Sequence, residues 1–331
     1  MAVQTVIASA PPALVQGGQA SPFLSLEHLN LNVPSWTPEL ERFWFDALGF
    51  ARDPRADSVI EAVKRTGGTA SGLVWVNIGL QQIHMPLGEP ENPSQRGRGE
   101  LGLGYVDLSD LKQRLEKHAI RYEEVDKQGP FPAGLRLESP TGVRLRAQQI
   151  AHPLLGPPEA VAAPSSVGLP GGPSLGIGLI YAEFVCGVGV AAAICRFYQQ
   201  VLGVAASVAD GVCSVPLQDQ SLIFREVAGE VEPYDGHHVA VYVGDISKGD
   251  TVASFKAMYC RSKEAGLVWN NPRFPMFTYD TLEDAVRFNE FRVKDLIDPA
   301  TGKVVYELEH EIRSLAHPGF SCKALLENVK E

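Results

Sequence analysis

One plan recurs along this chain: a strand alternating apolar and polar residues, a helix-spaced stretch, then short strands. Residues 26–33, Leu-Glu-His-Leu-Asn-Leu-Asn-Val, alternate as a strand with one buried face does. Pro34 ends the run, residues 36–48 carry Leu40, Phe43, Trp44 and Ala47 at helical spacing, and Gly49 is a stop signal. Strands are predicted at 72–78 and 81–85. The cycle restarts with a strand at 101–106, a helix at 108–118 and short strands around Tyr122, Leu135 and Val143. The second half repeats it, with a strand at 179–185, a helix at 190–202 and strands near Val212 and Leu222. A strand at 238–243, a helix at 251–265 capped by Gly266, and strands at 291–297 and 304–309 complete it. Arg42-Phe43-Trp44…Leu48-Gly49 and Arg196-Phe197-Tyr198…Leu202-Gly203 are the clearest shared fragments. A repeat of this kind decides the fold class, here α+β built from βαβββ modules.

Between the halves, residues 151–175 are rich in Pro, Gly, Ala and Ser without hydrophobic periodicity, which is the composition of a linker. The expected organisation is a disordered tail at 1–24, a first domain at 25–150, the linker, a second domain at 176–315, and a C-terminal tail at 316–331. The first 23 residues contain no Lys or Arg, so they lack the basic start of a secretion signal and the arginines of a transit peptide. Residues 176–195 are apolar enough to suggest a membrane span. Glu183 inside the stretch, and Gly187 and Gly189, favour a strand, a turn and a helix instead.

The chain has 331 residues and a formal net charge of −10, which argues against a nucleic-acid partner because phosphate contacts need a basic face. Its five cysteines, Cys186, Cys195, Cys213, Cys260 and Cys322, show no C-x-x-C spacing and read as reduced thiols. The expectation is a soluble intracellular protein, most simply cytoplasmic. Ser-His-Asp, P-loop and dinucleotide signatures are missing.

The order of these motifs resembles the vicinal oxygen chelate superfamily, which includes glyoxalase I, bleomycin-resistance proteins and extradiol dioxygenases. The matching pieces are His28…Arg42-Phe43-Trp44…Leu48-Gly49, Ile83-His84-Met85-Pro86, Ser139-Pro140-Thr141-Gly142, Arg196-Phe197-Tyr198 and Asp298-Pro299-Ala300-Thr301-Gly302. The resemblance covers roughly residues 25–150 and 175–312. It implies two tandem glyoxalase-like domains, each a pair of βαβββ modules forming a cupped mixed sheet with helices outside. It also implies a divalent metal in a cup, on ligands from the first and last strands of the modules.

Carried over residue by residue, the resemblance puts Glu183 and His238 at ligand positions of the second domain. On the strand Val-Val-Tyr-Glu-Leu-Glu-His-Glu, Glu307 and Glu309 share one face, while Tyr306, Leu308 and His310 share the other. The expected site is therefore Glu183, His238 and Glu307 or Glu309, an O/N set that suits Fe2+, Mn2+ or a similar ion. Glu183 has a competing reading as the ion-pair partner of Arg225, and His238 as a strand-end histidine. In the first domain His28 and His84 fall at ligand positions but face Arg146, and Arg cannot ligate a cation. That cup reads as non-catalytic. The segment 309–314 reads as an exiting strand with surface charge, and 269–289 as an aromatic loop covering the cup.

Two functions fit. One is a metal-dependent lyase, isomerase or dioxygenase acting on a small oxygenated substrate. The other is a non-catalytic ligand-binding or assembly protein that keeps the fold without metal. A homo-oligomer or larger assembly is compatible with both.

Overall fold

The computed structural model describes residues 22–65, 72–88, 94–129, 131–151 and 170–320. The expected tails and linker fall largely at 1–21, 152–169 and 321–331, outside the described residues, as does Cys322.

The first module is β1 (Phe23–Asn30), α1 (Pro38–Glu41) running into a π-helical turn (Arg42–Ala47), β2 (Ala51–Arg52), α2 (Arg55–Arg65), β3 (Leu73–Ile78) and β4 (Gln81–Pro86). The second is β5 (Glu100–Tyr105), α3 (Leu108–Lys117), β6 (Tyr122–Val125), β7 (Gly134–Glu138) and β8 (Arg144–Gln149). The third is β9 (Gly176–Gly187), α4 (Ala191–Arg196) with its π-helical turn (Phe197–Leu202), β10 (Ser207–Ala209), β11 (Val212–Leu217) and β12 (Gln220–Val227). The fourth is β13 (His238–Val243), α5 (Ala253–Glu264), α6 (Leu282–Phe288), β14 (Glu290–Asp298) and β15 (Lys303–Ser314). Residues 176–195 thus form β9 and most of α4, and no helix among the described residues is long and apolar enough to cross a membrane.

Local chemistry explains the helix ends. Thr37 caps α1 by accepting from the Leu40 N–H, and Pro38 takes the first turn, where its missing donor costs nothing. Gly49 and Gly203 follow the two shared fragments in the left-handed region, at φ 69° and 68°, where a side chain would be strained. Helices α2 and α6 were not expected. The Asp53 carboxylate receives the Arg55 N–H at the start of α2, and Thr281 with Asp284 forms a capping box on α6.

The expected α+β class and mixed sheets with outer helices hold. The strands form a seven-stranded sheet, β14-β15-β13-β1-β4-β3-β2, and an eight-stranded sheet, β10-β11-β12-β9-β5-β8-β7-β6. The pairing of modules differs from the expectation that each half closes its own cup. The first module joins the fourth, through antiparallel β1 and β13, and the second joins the third, through antiparallel β5 and β9. All four modules present a similar free edge, so strand alternation alone names no partner. On the helix side Leu29, Leu31, Val239, Val241, Phe43, Trp44, Phe255 and Phe291 build the core.

A glutamine clasps the two sheets together. Gln220, at the start of β12, accepts from the Leu26 N–H (2.9 Å) and donates to the carbonyls of Leu26 (3.1 Å) and Leu179 (2.6 Å). Gln81, at the matching place on β4, accepts from the Leu179 N–H (3.3 Å). Both glutamines are buried. Replacing Gln220 by Leu leaves three buried backbone groups without this partner and should cost about 2–5 kcal/mol, each orphan costing about 1–3 kcal/mol before relaxation. Denaturant unfolding checks this, and an unchanged midpoint overturns it.

Candidate metal centre

The inner face of the seven-stranded sheet carries an unusual load of buried polar side chains. His28 and Asn30 come from β1, His238 and Tyr242 from β13, Glu309, Glu311 and Arg313 from β15, and Glu290 and Arg292 from β14; all are under a tenth exposed except Arg313, which is partly covered. The strand register brings them together. Ala240 lies opposite His28 on one side and Glu311 on the other, and its methyl group leaves the space between them open.

His28, His238 and Glu311 each offer a donor atom, and these atoms lie within 4.8 Å of one another. Each imidazole also has a carboxylate at Nδ1: Glu27 lies 3.3 Å from His28, and Glu309 3.9 Å from His238. His238 Nε2 lies 3.4 Å from Glu311. At His28 the Glu27 carboxylate is within hydrogen-bond reach of Nδ1, which leaves Nε2 as a lone-pair donor, the arrangement around metal-ligating histidines. Burial, ahead of nearby charges, pushes His28 well below its ordinary value, so it stands neutral.

His84 stacks on His28 with centroids 3.7 Å apart, and Trp75 stacks on its other face at 4.4 Å. Its Nε2 meets Gln82 Oε1 at 3.0 Å, while the Gln82 amide donates to Asp53 (2.9 Å) and Asn77 (2.6 Å). An amide already donating to two acceptors turns its oxygen to His84, so His84 carries its proton on Nε2.

Four carboxylates share two guanidiniums in this cup. Arg292 pairs with Glu290, Glu309 and Glu311, and Arg313 with Glu27, Glu290 and Glu311. Burial alone would raise the Glu311 carboxyl, but Arg292 and Arg313 override it and hold it well below the usual carboxylate range. The segment 269–280 lies over the rim: Asn271 donates to Glu309 (3.2 Å), and the Arg292 guanidinium sits 5.3 Å from the Phe274 ring.

The structure gathers some expected residues and separates others. His28, His84 and His238 share this cup, although they come from opposite halves of the chain. Glu183 lies on β9 in the other sheet and pairs with Arg225 at 2.5 Å, the competing reading. Glu307 is nearly half exposed and pairs with Lys294 at 3.0 Å, outside the buried network. Glu309 faces the cup but is held by Arg292 and Asn271. Arg146 does not face His28 and His84; it belongs to the second cup. Glu311 was missed because the closing strand was ended too early. The alternation of Glu309, Glu311 and Arg313 was the available signal, and β15 runs on to Ser314.

In the eight-stranded sheet the matching positions hold different chemistry. Gly102 pairs with Tyr181 and Arg146 as Ala240 pairs with His28 and Glu311, so Tyr181 stands in for His28, Glu100 for His238 and Arg146 for Glu311. Tyr181 Oη and Arg146 Nε both donate to Glu100 Oε1 at 2.8 Å. A fixed guanidinium occupies the place of a cation there, and this cup cannot ligate one.

No family model matches this sequence, and no curated protein matches it. Solved structures do. Glyoxalase I from Zea mays superposes with a TM-score of 0.52 at 12% identity, over 91% of this chain and 94% of that one. A candidate dioxygenase from Bacillus subtilis superposes with a TM-score of 0.54 at 13% identity, over 94% of this chain and 91% of that one. The chain therefore shares the glyoxalase-like fold of these structures, built here from four βαβββ modules.

Two outcomes follow from the buried charges. Glu311→Gln leaves two guanidiniums short of their shared carboxylate and should cost about 3–5 kcal/mol, read as a lower thermal midpoint. Burial lowers the imidazoles of His28 and His84, and lowers that of His310 to about 4, from an ordinary 6.5. Below pH 6.5 the unfolded chain therefore binds more protons than the folded one. Stability should then fall with pH by up to about 1.4 kcal/mol per unit per histidine. Urea midpoints that do not fall between pH 7 and pH 5 would overturn this.

Proposed function

We propose that this protein is a divalent-metal-dependent enzyme acting on a small oxygenated molecule in the cup of the seven-stranded sheet. The observation that carries the proposal is the His28–His238–Glu311 cluster, with the Glu27 carboxylate on the far nitrogen of His28. Two imidazoles and a carboxylate suit Fe2+, Mn2+ or a similar ion. When bound, such an ion acts as a Lewis acid toward neighbouring substrate oxygens.

The chain's own residues have definable parts. Arg292 and Arg313 hold Glu311 ionised and aimed at the histidines. Glu27 orients the His28 imidazole. Glu290 is raised by burial and by Glu311, and it accepts the Tyr279 hydroxyl, so it is the carboxyl in the network best able to carry a proton. Asn271 and Phe274, on the covering segment, limit water at the rim.

A second reading rests on one observation: both Glu311 oxygens already meet guanidiniums, so the network is closed without an ion. On that reading the protein binds its ligand without metal. Elemental analysis separates the two. One transition-metal ion per chain is expected, lost in His238→Ala and retained in Glu183→Ala. A wild-type protein that stays metal-free after anaerobic loading with Fe2+ or Mn2+ sinks the enzyme reading.

A further inference from the structure

The second cup is closed by its own chain. Between β6 and β7 the loop folds inward and buries Phe131, whose ring lies 5.2 Å from Tyr181 and 5.4 Å from the Arg146 guanidinium. Ile180 and Ile223 complete its apolar surroundings, with Ile150 packed behind them. The next residue supplies an oxygen, since Arg146 Nη1 donates to the Pro132 carbonyl at 3.0 Å. The loop's turn is closed on itself: Gln128 N–H donates to Phe131 O (2.8 Å) and Phe131 N–H to Gln128 O (3.0 Å). Lifting it breaks the Arg146 contact without breaking these two bonds.

One buried donor on the Arg146 face of the sheet has no acceptor among the described residues. Gln148 lies two residues beyond Arg146 on β8 and so shares its face of the sheet. It is 1% exposed, and its Nε2 has no hydrogen-bond partner among the described residues. Its neighbour across the sheet is Gly104, which offers no side chain to satisfy it. A buried amide left unpaired costs about 1–3 kcal/mol, so a native site retains one where something else supplies the acceptor.

We propose that the second cup is a binding site for a small aryl carboxylate, and that Phe131 and Pro132 occupy it as an internal stand-in when no ligand is bound. The loop presents a phenyl ring and, one residue on, an oxygen on a guanidinium. A ligand such as an arylacetate presents the same two features and adds a second oxygen. Its ring takes the place of Phe131 against Tyr181, Ile180 and Ile223. One carboxylate oxygen replaces the Pro132 carbonyl on Arg146, and the other accepts from Gln148 Nε2. Cation–π contact with Arg146 and a charge-assisted hydrogen bond favour an aromatic anion over an aliphatic or neutral one. Tyr181, Glu100 and Arg146 satisfy one another, so the site binds without reacting. None of this depends on the metal centre of the other sheet.

Phenylacetate is the probe, titrated into the full chain by calorimetry, with acetate and cyclohexylacetate as controls. Phe131→Ala removes the stand-in and should bind phenylacetate about tenfold more tightly than wild type, a difference of about 1.4 kcal/mol. Adding Gln148→Leu to that variant should reverse most of the gain, while thermal unfolding confirms that both remain folded. Phe131→Leu, which keeps an apolar side chain without the ring, gives the same direction should the alanine variant unfold. Cyclohexylacetate binding as tightly as phenylacetate would overturn the aryl assignment. A folded Phe131→Ala or Phe131→Leu protein that binds phenylacetate no better than wild type would overturn the site itself.

Discussion

The antiparallel pairing of β1 with β13 is the contact on which the candidate site depends. It joins residues more than two hundred positions apart and sets Asn30 against His238 and His28 against Ala240. A slip of one residue would turn the histidines to the helix side and Leu29 and Val239 into the cup. The register is held on the other face by those same apolar residues, which pack under the helices. Core packing and site geometry are thus two consequences of one alignment, and the Gln220 clasp on the Leu26 backbone anchors β1 to the second sheet.

The two cups show how one register accommodates opposite electrostatics. In the seven-stranded sheet the central positions hold His28, His238 and Glu311, with four carboxylates sharing two guanidiniums. In the eight-stranded sheet the equivalent positions hold Tyr181, Glu100 and Arg146, and the positive charge is built into the chain. The first arrangement suits an added cation, whereas the second closes on itself and leaves Gln148 as its unsatisfied group. Burying this much charge costs stability unless it is paired, and the ion pairs of Arg292 and Arg313 with four carboxylates offset much of that cost.

The covering segments differ in the same sense. Over the first cup, 269–280 approaches through Asn271 and Phe274 and touches the rim of the charged network. Over the second, the β6–β7 loop inserts Phe131 and contacts Arg146 directly. The rim contact lies beside the charged network, whereas the inserted Phe131 ring sits directly against Tyr181 and Arg146.

Most of the fold was legible in the chain itself. Alternation at 26–33 and 238–243, helical spacing after Trp36 and Val190, and the two Leu-Gly stops specified the βαβββ modules, because these signals act over a few residues. His28, His84 and His238 were identifiable because the family resemblance puts ligand positions on those strands. Helix α2 escaped notice because its start depends on the Asp53 side chain, and Glu311 because β15 runs further than its apolar residues suggested. What the amino-acid sequence by itself determined was the module, its faces and the residue types offered to each cup. Which modules pair, and hence that His28 meets His238 and Glu311 while Glu183 meets Arg225, was decided only in the tertiary structure. Each module presents a similar edge, and the choice between edges rests on contacts between residues far apart in the chain.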